Sequence, residues 1–170
     1  MSNKAYLEFE GFNEAIARLN KLNANTKNIS EKSLKKTHEI ITKKAQEALD
    51  HASEAAVMLG HSYIGSEHLL IGLIQTEECL ASAVLAEYDV TDEKIINLVY
   101  QLIAPEGAVG VKEPTGYTPR VRRILENSAK EAIRFKADLI GTEHILISII
   151  KESECVAARL LNTIGVDIKK

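Results

Sequence analysis

Leu59–Ile71 reads LGHSYIGSEHLLI, and after 76 residues the pattern returns as FKADLIGTEHILI over Phe135–Ile147. The same offset holds without a gap from Thr42 to Val90 of the first copy. One unit has therefore been duplicated in tandem. Because both copies keep Gly-Ser/Thr-Glu-His, the duplication predicts a repeated surface as well as a repeated core.

The composition is typical of packed helices. The 170 residues are 45% hydrophobic but only 5% aromatic, without Trp, and Ala, Leu, Ile, Glu and Lys dominate. These residues favour helices over sheets. We therefore predict an all-α fold built from a tandem helical repeat.

The chain divides into four predicted segments. Residues 1–40 form an N-terminal extension, 41–104 the first repeat, 105–116 a linker rich in Pro and Gly, and 117–170 the second repeat. Within the extension, residues 5–11 alternate like a short strand and Phe12–Leu22 has the period of an amphipathic helix. The second repeat stops one helix short of the first, and the amphipathic helix is a candidate to cover the groove left open.

Local signals place the helices. Ser30 is followed by a run without Gly or Pro up to Gly60, which predicts one helix over Ser30–Leu59 with Thr42 inside it. Thr118 instead precedes Pro119, a combination typical of a helix N-terminus. Further helices are predicted over residues 67–74, 78–87, 91–103, 119–136, 143–151 and 154–163, the first of them capped by Ser66.

Composition and motifs exclude several classes of function. A net charge of -3 with a pI near 6.0 gives no general attraction to nucleic acid or anionic membrane. No apolar run approaches the ~20 residues of a membrane span, so we expect a cytoplasmic protein. Phosphate-loop, His-Glu-x-x-His and Gly-x-Ser-x-Gly motifs are missing from the sequence. We therefore predict no enzyme activity and no cofactor or metal.

The cysteines and two of the histidines have structural interpretations. Cys79 and Cys155 occupy equivalent positions in the two repeats, which favours small buried hydrophobes over a disulfide or a zinc site. His68 and His144 each follow a Glu in the first turn of a helix and are expected to be structural rather than catalytic.

The motif GHSYIGSEHLLIGLI over Gly60–Ile74, with a second copy opening Tyr117-Thr118-Pro119-Arg120, resembles the double repeat of the Clp N-terminal domain. The resemblance covers roughly residues 41–168. In the ClpA and ClpC unfoldases that domain sits ahead of the ATPase rings and receives substrates and adaptors. The resemblance implies a non-enzymatic module that binds protein substrates, degrons or adaptors of a Clp unfoldase or protease.

The resemblance also implies a ligand. In the ClpC branch, the Glu of each Gly-Thr-Glu-His holds the guanidinium of phosphoarginine, and the Thr that opens each repeat's first helix lies by the phosphate. Carried over, these residues are Glu67 with Thr42 and Glu143 with Thr118. A helix N-terminus suits a phosphate, and a carboxylate suits a guanidinium.

Two questions about these turns stay open on sequence alone. Ser66, Thr142 and the two Glu residues could merely cap helices and complement their dipoles. The long predicted helix around Thr42 implies that the first phosphate pocket is lost or remodelled while the second persists. In the second repeat, Lys136 would strengthen a phosphate pocket and Asp138 would weaken it.

Other functions compete with this one. Residues 5–50 weakly resemble the start of phage head-tail joining or tail-completion proteins. One alternative is therefore a phage-derived structural or assembly protein that uses the Clp-like fold as a scaffold. Another is a decoy that competes with a host Clp unfoldase for adaptors or marked substrates.

Overall fold

The structure, a computed structural model, describes residues 41–102 and 114–166. Those residues form seven α-helices and two isolated β-bridges, which confirms the all-α prediction. The helices are α1 Lys43–Met58, α2 Ser66–Gln75, α3 Leu80–Glu87, α4 Asp92–Leu102, α5 Pro119–Arg134, α6 Thr142–Lys151 and α7 Val156–Ile164. Helices α5, α6 and α7 each begin 76 residues after α1, α2 and α3.

Thr42 is not inside a helix. Its backbone is extended, with φ -66° and ψ 157°, and its hydroxyl accepts a hydrogen bond from the Ala45 N–H at 3.1 Å. Its own N–H donates to the carbonyl of Ile140 at 2.9 Å. The prediction of one helix over Ser30–Leu59 is therefore wrong at residues 41 and 42. Helix α1 begins at Lys43 without a preceding Gly or Pro, because the Thr42 side chain caps it and the Thr42 N–H bonds to the other repeat.

The two helices of the first hairpin pack closely because the facing side chains are small. Alanine side chains of α1 are buried along the face that meets α2: Ala45, Ala48, Ala52, Ala55 and Ala56. Gly72 of α2 comes so close that an added Cβ would lie 2.1 Å from the carbonyl oxygen of Ala48. The buried residues of both repeats form one continuous core.

The two repeats exchange equivalent backbone bonds. Thr42 N–H donates to the Ile140 carbonyl at 2.9 Å, and Thr118 N–H donates to the Ile64 carbonyl at 3.0 Å. Each bond joins the residue before the first helix of one repeat to the Ile-Gly turn of the other. The contact therefore has the reciprocal form of a two-fold interface.

The cysteines cap helices. Cys79 Sγ accepts from the Ser82 N–H at 3.4 Å at the start of α3, and Cys155 Sγ accepts from the Ala158 N–H at 3.3 Å at the start of α7. Both thiols are free. Cys155 is buried, as predicted, and burial raises the pKa of its thiol. Cys79 is only half-buried, so the prediction of burial is wrong in degree for that residue.

Several predictions lie outside the described residues: the strand over 5–11, the helix over Phe12–Leu22 and most of the segment that resembles phage proteins. Among the helices that are described, none is by itself long and apolar enough to cross a membrane. Helices α2 and α3 reach that length and apolarity only when taken together, and they meet at a bend of 95°.

Candidate functional site

The two Gly-Ser/Thr-Glu-His turns begin with glycine at the N-cap position. Gly65 and Gly141 have extended backbones, and α2 and α6 start at the next residue. The prediction that Ser66 caps its own helix is therefore wrong. Its hydroxyl instead accepts from the Ala157 N–H in the other repeat, and Thr142 accepts equivalently from the Ala81 N–H.

The histidine of each turn secures the helix start. Nδ1 of His68 accepts the Gly65 N–H at 2.8 Å, and Nδ1 of His144 accepts the Gly141 N–H at 2.9 Å. This is the position at which a Glu or Gln completes a capping box. The structural role expected of both histidines is confirmed. Because the histidine side chain accepts the N–H of the N-cap glycine, the neighbouring glutamate is not needed to cap the helix.

One buried trio has side chains of the kind that hold metals. One ligand atom each of His61, Glu67 and His68 lie within 4.8 Å of one another. Because His68 Nδ1 accepts the glycine N–H, its proton is assigned to Nε2, which donates to His61 Nδ1 at 2.7 Å. Burial, reinforced by His61, lowers the pKa of His68 to about 3.

This hydrogen bonding does not fit a metal. A metal-bound imidazole normally keeps a proton on its other nitrogen and donates it outward. Here the other nitrogen of His68 is an acceptor, so ligation through Nε2 would require a fully deprotonated ring. The neutral ring also means that the 3.7 Å approach of His68 to the Glu67 carboxylate is not an ion pair.

Glycine gives each glutamate carboxylate its place. A Cβ on Gly65 would lie 2.2 Å from a Glu67 carboxylate oxygen, and one on Gly141 would lie 2.3 Å from a Glu143 oxygen. Both carboxylates thus fold back over the N-cap backbone. The glycines leave space for the carboxylates, and any other residue there would turn the glutamate side chain away, although φ values of -91° and -96° are open to any residue.

The two carboxylates differ in access to solvent. The Glu143 side chain is 37% exposed, whereas that of Glu67 is 11% exposed. Burial raises the pKa of Glu67, although its own backbone N–H, His61 and Ser66 act in the opposite direction. The counterpart of His61 in the second repeat is Ala137. Glu143 is therefore the more open of the two for a cationic group.

The fold pairs Thr and Glu across the repeats. Helix α1 has 16 residues and spans about 24 Å, with Thr42 at its start and the turn leading to Glu67 beyond its end. Thr42 is instead bonded to Ile140, in the turn that carries Glu143. By the reciprocal bond, Thr118 adjoins the turn that carries Glu67. The structure therefore brings Thr42 to the turn of Glu143 and Thr118 to the turn of Glu67, and not each Thr to the Glu of its own copy.

The surroundings of the two threonines also differ. Thr118 caps α5 through the Val121 N–H at 3.3 Å and lines a cavity of about 270 Å³ with Pro119, Arg120 and Arg123. The carboxylate of Glu152 accepts from Arg120 at 3.0 Å and lies 3.6 Å from Arg123. That cavity is thus lined by cationic side chains, but both arginines already contact the Glu152 carboxylate.

The two charged residues considered for the phosphate pocket of the second repeat do not lie beside Thr118. Lys136 and Asp138 are exposed in the turn between α5 and α6. That turn adjoins Thr42 and not Thr118. Near Thr42, Lys44 forms an exposed ion pair with Glu47 at 3.0 Å. The first phosphate position was expected to be lost because Thr42 would lie inside a helix, but Thr42 instead caps the N-terminus of α1.

Sequence reasoning missed His61, the two glycines and the Arg120–Arg123 cavity. The glycines carried a usable signal, since Gly65 and Gly141 recur beside Glu in both copies. His61 gave none, because its partner His68 and the burial of the pair emerge only in the folded chain.

Comparisons with known proteins agree with this architecture. The sequence matches the family described as Clp repeat (R) N-terminal domain over residues 40–170. It is 41% identical over 131 residues to the ATP-dependent Clp protease ATP-binding subunit ClpC of Staphylococcus aureus strain USA300, and 40% identical to that of Staphylococcus saprophyticus. Those alignments cover 76% of this chain but 16% of each relative.

Solved structures share the fold. The N-terminal domain of ClpD from Arabidopsis thaliana has a TM-score of 0.62 at 19% identity, with 76% of this chain and 88% of that chain covered. The N-domain of ClpV from Vibrio cholerae also has a TM-score of 0.62, at 13% identity, with 76% and 79% covered. The chain belongs to the Clp repeat N-terminal domain family.

Proposed function

We propose that this chain is a non-enzymatic binding module for protein substrates, degrons or adaptors of a Clp unfoldase or protease. The observation that carries the proposal is the partly exposed Glu143 carboxylate on the first turn of α6, which follows a turn hydrogen-bonded to Thr42 at the capped N-terminus of α1. Such a site offers an anion and a set of backbone N–H groups side by side. A structural neighbour is a ClpV N-domain in complex with a VipB peptide, which supports peptides as the class of ligand.

The ligand we infer for this site is phosphoarginine on a client protein. Its guanidinium would pair with the Glu143 carboxylate, and its phosphate would accept from the first-turn N–H groups of α1 beside Thr42. Thr142 positions the turn, because its buried hydroxyl is engaged with the Ala81 N–H. The exposed Lys43 adds positive charge at the phosphate end, whereas Lys44 is paired with Glu47.

The second site combines Glu67, Ser66 and Thr118 and is the weaker one in this proposal. Its carboxylate is mostly covered, and its arginines already contact Glu152. A ligand there would have to displace an existing ion pair and open a buried turn. We therefore expect one stronger and one weaker site rather than two equal ones.

Calorimetric titration of phosphoarginine into the full chain tests this proposal. Glu143→Gln and Thr42→Asp should each remove the stronger binding event. Asp keeps the helix cap but repels a phosphate, so the Thr42 variant separates ligand binding from folding. Thr118→Asp is the matched control and should leave the stronger event unchanged.

Different results would refute different parts of the proposal. Loss of the stronger event with Thr118→Asp but not with Thr42→Asp would refute the pairing across the repeats. No binding of phosphoarginine by the unmodified chain would refute the ligand and leave only the general role in protein binding. Free arginine and inorganic phosphate, each carrying half of the recognised chemistry, should bind more weakly than phosphoarginine.

The competing functions make a different prediction about size. A phage-derived assembly protein should form a ring or bind a virion component, whereas a binding module or a decoy has no such requirement. Light scattering of the full chain separates the first case from the other two. A decoy would in addition compete with a ClpC N-terminal domain for the same marked substrate.

A further inference from the structure

A broad groove lies along the first repeat, between the end of α2, the exposed side of α3 and the start of α4. It encloses about 780 Å³. Its apolar lining includes Ile74, Val90 and Leu80, and the Leu80 side chain is 62% exposed. The groove is therefore large enough and apolar enough to hold several side chains of an extended peptide.

Carboxylates surround this apolar floor. Glu77, Glu78, Asp89 and Asp92 all line the groove. In the part of the chain that the structure describes, Glu77 and Glu78 form no ion pair, although Lys44 lies within electrostatic reach of Glu78. The carbonyl end of α2, at Gln75, adds partial negative charge.

The other two carboxylates are partly engaged. Lys94 pairs with Asp89, and the amide of Gln75 donates to Asp92 at 3.3 Å. One bound lysine against four carboxylates still leaves the groove acidic. Such a rim attracts a cationic partner and repels an acidic one.

The second repeat does not reproduce this acidic rim. The residues equivalent to Glu77, Asp89 and Asp92 are Ser153, Gly165 and Ile168. Glu78 keeps an acidic equivalent, Glu154, and Thr91 corresponds to Asp167, but Ala83 corresponds to Arg159. The charge of the groove therefore distinguishes the first repeat and is not a general property of the duplicated unit.

The groove also begins near the turn that carries Glu143. The Ala81 N–H at the start of α3 lies 3.5 Å from the Thr142 hydroxyl, and Glu143 follows in the chain. A peptide held at Glu143 could thus continue over Leu80 into the groove.

We propose that this groove binds the residues that flank the marked side chain of a client peptide and selects cationic residues interspersed with apolar ones. This inference rests on the proposed function, since it extends the Glu143 site. Lysine or arginine side chains would meet the carboxylate rim while leucine-like side chains cover Leu80 and the partly buried Ile74.

Fluorescence anisotropy with short labelled peptides and the full chain tests the groove directly. The cationic probe alternates lysine and leucine, and the acidic probe carries glutamate in place of each lysine. We expect the cationic probe to bind at least about tenfold more tightly, and Glu77→Gln with Glu78→Gln to remove most of that preference. Leu80→Ser should weaken binding of the cationic probe about tenfold without loss of fold, because the side chain is mostly exposed.

Matched controls keep this result separate from that of the Glu143 site. Glu154→Gln and Tyr100→Ser, at the equivalent acidic position and at another exposed apolar one, should leave binding unchanged. Glu143→Gln should remove the stronger phosphoarginine binding event yet retain binding of the unmodified cationic probe. The two proposals can therefore fail independently.

Three outcomes would overturn the groove proposal. One is equal binding of the two probes, and another is binding that survives both the groove carboxylate and the Leu80 substitutions. The third is binding that appears only after Lys21, Lys32 and Lys35 are replaced by Gln, which would assign the groove to lysines of the chain's own N-terminal extension.

Discussion

The hydroxyl of Ser66 accepts a hydrogen bond from the backbone N–H of Ala157 at 3.2 Å, across 91 residues of chain. Its counterpart, the Thr142 hydroxyl, accepts from the Ala81 N–H at 3.5 Å. All four groups are buried. The Ser or Thr hydroxyl of each Gly-Ser/Thr-Glu-His turn thus accepts from an N–H in the first turn of the other repeat's third helix, α7 or α3.

Ser66→Ala should destabilise the fold by about 1 kcal/mol, because it leaves the buried Ala157 N–H without its partner. Ser66→Thr is the matched variant, since Thr is the residue found at the equivalent position 142. Urea denaturation measures both. Equal stability of the two variants would mean that the Ser66 hydrogen bond contributes nothing.

Gly72→Ala should destabilise the fold by about 3 kcal/mol or more. An added Cβ would meet backbone atoms of α1, at 2.1 Å from the Ala48 oxygen and 2.8 Å from the Ala52 nitrogen, so the two helices must separate. The equivalent Ser148 already carries a Cβ, and Ser148→Ala should cost only about 1 kcal/mol for its hydrogen bond to His144. Similar thermal midpoints for the two variants would contradict the close α1–α2 contact.

Lys136→Gly should stabilise the chain by about 0.5–1 kcal/mol. Lys136 follows the end of α5 and has a φ of 56°, a left-handed conformation that costs free energy for a residue with a side chain. Gly60 occupies the equivalent place after α1, with a φ of 73°. The reverse change, Gly60→Ala, should destabilise by a similar amount. Chemical denaturation at constant pH detects both, and a loss of stability in Lys136→Gly would show that the lysine makes a compensating contact.

His68 should make stability fall as the solution is acidified. Its pKa is about 3 in the folded chain against an ordinary 6.5, so the unfolded chain binds the proton first and stability is lost as pH drops from 6.5 towards 3. Between pH 7 and 5 this group alone should cost about 2 kcal/mol. His68→Gln keeps an acceptor for the Gly65 N–H and should reduce the loss by that amount.

The comparison of the two chains matters because Glu67 acts in the opposite direction. Burial raises its pKa, so protonation at lower pH stabilises the folded chain. Glu67 is present in both chains, so the difference between their pH dependences reports His68. An equal pH dependence in His68→Gln and the unmodified chain would contradict the buried, neutral state of the ring.

Much of the fold could be predicted because the sequence repeats itself. Each predicted helix in the described residues appears within about two or three residues of its expected ends, apart from the start of α1, since periodicity and caps are local signals. The start of α1 was missed because the Thr42 N–H finds its partner in Ile140, a bond that no local pattern shows.

The candidate site was harder to predict than the helices. A constant spacing showed which residues are equivalent, and the resemblance to the Clp N-terminal domain was carried over with each Thr beside the Glu of its own copy. The folded chain places Thr42 by the turn of Glu143 instead, because each repeat uses the other to complete its helix starts. Spacing cannot distinguish these arrangements, since both are compatible with the same one-dimensional repeat.

The reciprocal bonds have an evolutionary consequence. A polypeptide containing only one copy of the unit would lack a partner for its Thr N–H. It would also lack a partner for an N–H in the first turn of its third helix. A second identical molecule, related by a two-fold axis, would supply both. Gene duplication and fusion would then have converted a homodimer into one chain, and the contact between Thr42 and Ile140 would descend from a boundary between two subunits.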